Sequence, residues 1–314
     1  MTIREITVIF ITVLIGIPAV AGNGETTYNF LRNDVGARAA ALGGSFVAVE
    51  NDVNMLFYNP AGLSTLEKKQ VSFGFLKHLL DVNSGYISYS QQIRNLGWFG
   101  AGIEYIHYGE FTRTDNLGNK LGTFGANDLA LVLGYSNVVS GGIHYGVNGK
   151  LIYSSIADIQ SSALALDAGV FYEVTPDRFA IGASILHWGR QISKYIGTRE
   201  DLPLELRVGI ALRPEHLPLL LNISFNRLNE EAGDVISRLR AFSVGGEFTL
   251  SEAVQARIGY DNEVRKDLKI GISSGLAGFS LGAGVFLDPY TIDYAFNSLG
   301  KIGALHRVTI GTSL

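Results

Sequence analysis

The chain has 314 residues, 38 of them Gly, with 47% apolar and only 17% charged residues, a formal charge of −4 and no Cys. This excludes a disordered chain, which needs low hydrophobicity and high net charge, and a nucleic-acid binder, which needs a strongly basic face. Without Cys there is no disulfide scaffold, thiolate metal site or Cys nucleophile, and the glycines lack the three-residue period of collagen.

In chain order, residues 1–21 read as a secretory signal peptide: Arg4, an apolar run from Ile6 to Ile17, then Pro18 and the small residues Ala19-Val20-Ala21, with cleavage near Ala21. An N-terminal anchor helix is the alternative, but the run falls short of the ~20 residues a helical span needs. Residues 22–66 differ in pattern from the remainder of the chain. Ala37 to Ala41 is Ala-rich and carries Arg38, Gly43-Gly44 interrupts it, Ser45 to Val49 can extend, and Asn59-Pro60-Ala61-Gly62 makes a turn. This segment is expected to fold into the mouth of a barrel as a hatch, a flexible periplasmic arm being the alternative.

From residue 67 to 314 the period is two. In Ile143 to Ser154, Ile143, Tyr145, Val147, Leu151 and Tyr153 alternate with His144, Gly146, Asn148, Lys150 and Ser154. The same holds for Leu204 to Leu212, Val254 to Asp261, Tyr290 to Asn297 and Arg307 to Leu314. Strands are predicted near 69–77, 83–92, 97–109, 124–137, 142–155, 161–174, 178–188, 203–213, 217–228, 238–249, 253–261, 267–287, 290–297 and 304–314. Residues 267–287 are read as one strand, irregular at Gly275 and Gly278, because an odd count would put the termini at opposite rims. Short links centre on Asn95, Val139, Pro176, Pro214, Ser251 and Pro289, and longer ones cover 110–123, 189–202, 229–237 and 262–266. Tight turns at one rim and looser loops at the other predict an all-β fold, a 14-stranded antiparallel transmembrane β-barrel with an N-terminal hatch.

The polar faces carry Glu104, Lys150, Asp167, Glu205, Arg207, Glu247, Arg257, Asp293 and Arg307. In a dry sandwich core such charges would each cost several kcal/mol unless paired, whereas a wet or plugged barrel interior accommodates them. Tyr108, Tyr153, Tyr172, Trp188 and Trp98 near strand ends suit a membrane interface. Gly278-Phe279-Ser280-Leu281-Gly282 matches the G-x-S-x-G pattern literally, but Ser280 lies in continuous alternation and not at a strand-to-helix elbow. The six histidines show no ligand spacing, and no phosphate-cradling loop occurs. No catalytic, metal or cofactor-binding residue is assigned; the expectation is a protein that is not an enzyme.

Tyr28-Asn29-Phe30-Leu31, Gly36-Ala37-Arg38-Ala39-Ala40-Ala41-Leu42-Gly43-Gly44 and Asn59-Pro60-Ala61-Gly62-Leu63 together resemble the start of the PorV/PorQ family of outer-membrane proteins. That family is similar to the long-chain fatty-acid transporter (FadL) barrels, in which an N-terminal hatch and an Asn-Pro-Ala turn recur. Tyr105 to Phe111, Phe124 to Asp128, Asn148 to Ser154, Asp167 to Tyr172 and Arg257 to Asn262 extend the resemblance toward the PorQ type, and Ile292 to Phe296 with His306-Arg307-Val308 toward the PorV type. The resemblance implies a non-enzymatic barrel of the bacterial outer membrane associated with type IX protein secretion and surface attachment of cargo. It implies PorU-, PorV- and PorZ-like partners at the extracellular rim, outer-membrane lipid around the wall, and no cofactor. Asn59, Pro60 and Ala61 form the implied hatch motif. A FadL-like transporter of hydrophobic compounds or lipids is the alternative.

Overall fold

A computed structural model describes residues 26–139, 141–230, 238–268 and 275–314. The proposed signal peptide lies outside them. Fourteen strands follow one another in space as in sequence: β1 (Gln70–Lys77), β2 (Asn83–Ile93), β3 (Gly97–Thr114), β4 (Lys120–Val139), β5 (Ile143–Ile156), β6 (Ile159–Thr175), β7 (Phe179–Ser193), β8 (Glu205–Leu212), β9 (Leu219–Phe225), β10 (Phe242–Ser251), β11 (Val254–Asp261), β12 (Phe279–Leu287), β13 (Tyr290–Ser298) and β14 (Ala304–Ser313). All pairs are antiparallel, and β1 closes on β14 from Gln70↔Ser313 to Lys77↔His306. Closure leaves no unpaired edge, the condition for crossing a bilayer with strands. No helix among the described residues is long and apolar enough to cross a membrane.

Several expectations need correction. The link expected at 110–123 is strand: Phe111 pairs with Phe124 and Thr112 with Thr123, leaving only a turn in which the Asp115 carboxylate accepts from the Leu117 and Asn119 N–H groups. Threonines and a stacked Phe111–Phe124 pair, with centroids 5.4 Å apart, favour extended chain over loop. Of the strand expected over 267–287, Asp267 is helical, residues 275–278 form a turn at the irregularity expected there, and Phe279–Leu287 is strand. Before it, Asn262–Asp267 is helical, because Asp261 caps the Glu263 and Val264 N–H groups at 2.7 and 3.1 Å. Trp98 and Tyr108 are not interfacial. Both share the inward parity of Glu104 on β3, so Trp98 is buried under the hatch and Tyr108 donates to Asp128 inside the barrel.

Elsewhere alternation sorts the wall into two faces. On β5, His144, Gly146, Asn148, Lys150, Ile152 and Ser154 are buried while their neighbours face outward. The outer face displays Phe73, Phe75, Leu133, Leu164, Val170 and Trp188, all more than half exposed. A continuous apolar exterior of this kind requires lipid rather than water around it. The inner face holds all nine charges singled out from the sequence, each buried.

Residues 26–66 fill the lumen. Thr27 N–H bonds to Asp201 O at the long-loop rim, and Glu50 reaches Arg213 at 3.6 Å at the short-turn rim, so the segment runs the height of the barrel. It is built of short helices, Ala37–Ala41 and Met55–Tyr58, and a 3-10 turn, Pro60–Thr65. Ser45 to Val49 is irregular, not extended. Phe46, Leu42, Met55, Leu56 and Leu63 are fully buried against one another and the wall, each stabilising the plug by roughly 1.5–3 kcal/mol relative to exposure.

Candidate functional site: the hatch and the chamber above it

Asn59 fastens the hatch at mid-height. Its side-chain oxygen caps the Pro60–Thr65 turn by accepting from Ala61 N–H at 3.2 Å, and its Nδ2 donates to Val47 O within the hatch and to Val170 O on β6, at 2.9 and 3.0 Å. Pro60 occupies the first position of the turn, where its missing N–H is not needed. Ala61 is fully buried, and its carbonyl accepts from the hydroxyls of Ser64 and Ser136. The structure thus brings Asn59, Pro60 and Ala61 together at a packing contact that tethers plug to wall, outside the lining of the chamber above.

The wall receives this contact through glycines placed opposite one another: Gly100↔Gly134, Gly146↔Gly169, Gly182↔Gly209 and Gly245↔Gly259. A Cβ at Gly169 would land on Asn59 Oδ1, and one at Gly259 on the backbone of Leu42 and Gly43. Much of the excess glycine of the composition therefore marks where the hatch backbone approaches the wall too closely for any side chain.

A second fastening is ionic. Arg38, on the Ala37–Ala41 helix, grips Glu247 of β10 with Nε and one Nη at 2.8 Å each and reaches Asp52 at 3.2 Å. Glu247 also accepts from Arg257 Nε of β11 at 2.7 Å, and Arg257 continues to Asp293 of β13 at 2.5 Å. Burial works against the Arg38 cation, but the Glu247 carboxylate outweighs it and holds the guanidinium above its ordinary value. Asp52 is not compensated in the same way: burial pushes its carboxyl up despite Arg38. Across the lumen, Asp167 of β6 binds Lys150 Nζ at 2.8 Å and accepts from Asn148 Nδ2 and His187 N–H. His187 adopts φ 62° where β6 and β7 slip register between Leu166 and Ala168, which turns its N–H toward Asp167.

Above the fastenings lies a chamber of about 480 Å³ at the long-loop rim. The hatch segment 29–34 and Gly43-Gly44 contribute to its lining from within the lumen, strand ends of β8, β11, β12 and β13 from the wall, and the Asn262–Asp267 helix from the loops. Its volume falls in the range of small-molecule sites. Arg227 meets Glu263 there at 3.1 Å. Burial pushes the Glu263 carboxyl up to about 7 against the opposing pull of Arg227. Sequence reasoning did not reach this chamber, since its walls come from segments far apart in the chain.

Ser280, of the G-x-S-x-G match, is buried within β12 and accepts from Asn297 Nδ2, with no helix following. Among the described residues no group of three or more His, Asp or Glu could hold a metal ion.

Residues 17–173, half of the chain, match the family model described as uncharacterised protein family UPF0164. The chain belongs to the UPF0164 family. No curated protein matches its sequence. The UPF0164 barrel is similar to solved outer-membrane structures at low identity. It overlays on the Ralstonia pickettii toluene transporter TbuX with TM-score 0.60 at 15% identity, covering 89% of this chain and 98% of the other. The Pseudomonas putida toluene transporter TodX gives TM-score 0.60 at 15% identity, with 89% and 96% covered. A Pseudomonas aeruginosa FadL homologue gives 0.56 at 12% identity, with 89% and 98% covered. This likeness supports the FadL-like part of the resemblance drawn from the sequence. The family shown is UPF0164, and the PorV/PorQ assignment has no support beyond the motifs themselves.

Proposed function

We propose that the chain is a transporter of the bacterial outer membrane that admits hydrophobic or amphipathic compounds through a hatch-plugged barrel, after export and cleavage near Ala21. The observation behind this reading is the stacking of an outward chamber of about 480 Å³ on a hatch bound to the wall by discrete contacts. A solute captured above the hatch needs only those contacts to rearrange in order to move inward, whereas a rigid scaffold has no use for such a chamber. The fold neighbours described as toluene transporters agree with the reading. It involves no chemical step and no cofactor.

The secretion-associated role, with PorU-, PorV- or PorZ-like partners, rests on resemblance alone and makes the opposite prediction in the same assay. Cells carrying or lacking the chain are compared for uptake of labelled toluene and for surface display of secreted cargo. Uptake lost with the chain, and display unchanged, is the expected result. Unchanged uptake with lost display would overturn it in favour of secretion.

A further inference from the structure

Among the described residues, charge pairing in the chamber lining leaves one cation, Arg307, and three carboxylates, Asp34, Asp261 and Asp267, without an ion-pair partner; of these only Asp34 belongs to the hatch, and Asp261 caps the loop helix. Arg32 meets Glu230 at 2.8 Å, Arg207 meets Glu205 at 2.7 Å and Arg227 meets Glu263 at 3.1 Å. Arg307 of β14 lines the same chamber, only 6% exposed, yet among the described residues no carboxylate lies within ion-pair distance of it. Its Nη1 donates to Asn297 Oδ1, and its Nε is buried without any partner. Asp34 of the hatch also lines the chamber and, among the described residues, has no cation within ion-pair distance; its carboxylate accepts from the Tyr58 hydroxyl at 3.3 Å. Asp34 and Arg307 also line a smaller common cavity, together with Glu104, so the two lie near one another without forming an ion pair. A buried guanidinium left in this state is costly unless something else satisfies it.

A wall cation opposite a hatch anion suits a solute that carries both charges. A carboxylate accepts the free guanidinium donors, which favour planar anions, while an ammonium group donates to Asp34. The rest of such a solute would meet Val264 of the loop helix, Leu268 just after it, Leu299 of the β13–β14 link and Leu305 of β14, all in the same lining. We propose that the chamber binds a small zwitterion with an apolar side chain, of the α-amino-acid class, its carboxylate on Arg307 and its ammonium on Asp34. This deepens the transporter reading by naming a substrate class. Because Asp34 belongs to the hatch and Arg307 to the wall, the bound solute bridges the two bodies that must part for passage.

Titration calorimetry on the detergent-solubilised full chain tests this with L-leucine as the probe. 4-Methylpentanoate, which lacks the ammonium, and isopentylamine, which lacks the carboxylate, serve as comparators. Saturable leucine binding is expected, at least 10-fold weaker for either comparator and at least 10-fold weaker in Asp34→Asn and Arg307→Gln. Should Arg307→Gln lose heat-modifiable migration, and with it evidence of folding, the comparators on the unaltered chain and Asp34→Asn decide alone. Absence of saturable leucine heat, equal binding of 4-methylpentanoate, or leucine binding untouched by Asp34→Asn would each overturn the proposal. Toluene uptake without leucine binding rejects this site and keeps the transporter; leucine binding without any uptake keeps the site and rejects the transporter.

Discussion

Arg38 of the hatch and Glu247 of the wall form a two-pronged ion pair, Nε to Oε2 and Nη2 to Oε1, both at 2.8 Å. Glu247 is simultaneously bound by Arg257, so the hatch cation is one arm of a buried network that also holds β10, β11 and β13 in register. Removing one partner of such a pair strands the other in the interior, which typically costs about 3–5 kcal/mol. Arg38→Ala is therefore expected to loosen the hatch while sparing the barrel. Small-solute permeation in proteoliposomes should rise by an order of magnitude, with heat-modifiable migration retained. Permeation equal to that of the unaltered chain would show that Arg38 is not a fastening.

At mid-height the tether is neutral. Asn59→Ala removes the cap of the Pro60–Thr65 turn and leaves Val47 O and Val170 O short of a donor. A lost cap costs about 1 kcal/mol, and each buried group left unsatisfied roughly 1–3 kcal/mol. Amide exchange across residues 55–65 should accelerate by at least 10-fold. Exchange that stays at the native rate would remove Asn59 from the tether.

The glycine pairs predict a contrast between two substitutions on neighbouring strands. At Gly169 a methyl group meets Asn59 Oδ1, whereas at Gly149 it meets nothing within 4 Å. Overpacking typically costs about 1–3 kcal/mol, so Gly169→Ala should lower the thermal midpoint of the hatch and Gly149→Ala should leave it in place. Equal midpoints for the two variants would show that the hatch does not press on β6.

Glu263 gives the loop end of the chamber a pH dependence. Burial raises its folded value to about 7, above the ~4.3 of an exposed glutamate. The folded chain then binds more protons than the unfolded chain between these values, so local stability is greatest at the acid end and declines as pH rises toward 7. Intrinsic-rate-corrected amide exchange over residues 262–267 should be slower at pH 5 than at pH 8, and Glu263→Gln should abolish the difference. Faster exchange at pH 5 would reverse the sign and contradict the burial of Glu263.

The strand count, the closing order and the inward set from Glu104 to Arg307 were legible in the sequence because alternation carries parity from residue to residue. Trp98 and Tyr108 could have been placed by that parity too, being even-numbered with Glu104, but were read by residue type. The helix at Asn262–Asp267 had a visible signal in Asp261, an N-cap followed by Glu263, inside a span expected to be loop. The glycine excess was legible as an amount, but its pairing across strands, such as Gly146 with Gly169, depends on register. The nearness of Asp34 to Arg307 had no local signal, since it exists only when the plug is seated in the closed wall.

The central claim is that the hatch must move for solute to pass. The sequence contains no Cys, so a single engineered disulfide can be read without background. Val47 Cβ lies 3.1 Å from the position of a Cβ at Gly209, a few tenths of an ångström inside the usual disulfide separation of about 3.5–4.5 Å. Toluene uptake is measured in cells carrying Val47→Cys with Gly209→Cys, oxidised and then reduced. Uptake at least 10-fold lower when oxidised, and restored by reductant, is the result predicted; equal uptake in both states, with the cross-link verified, would contradict the claim.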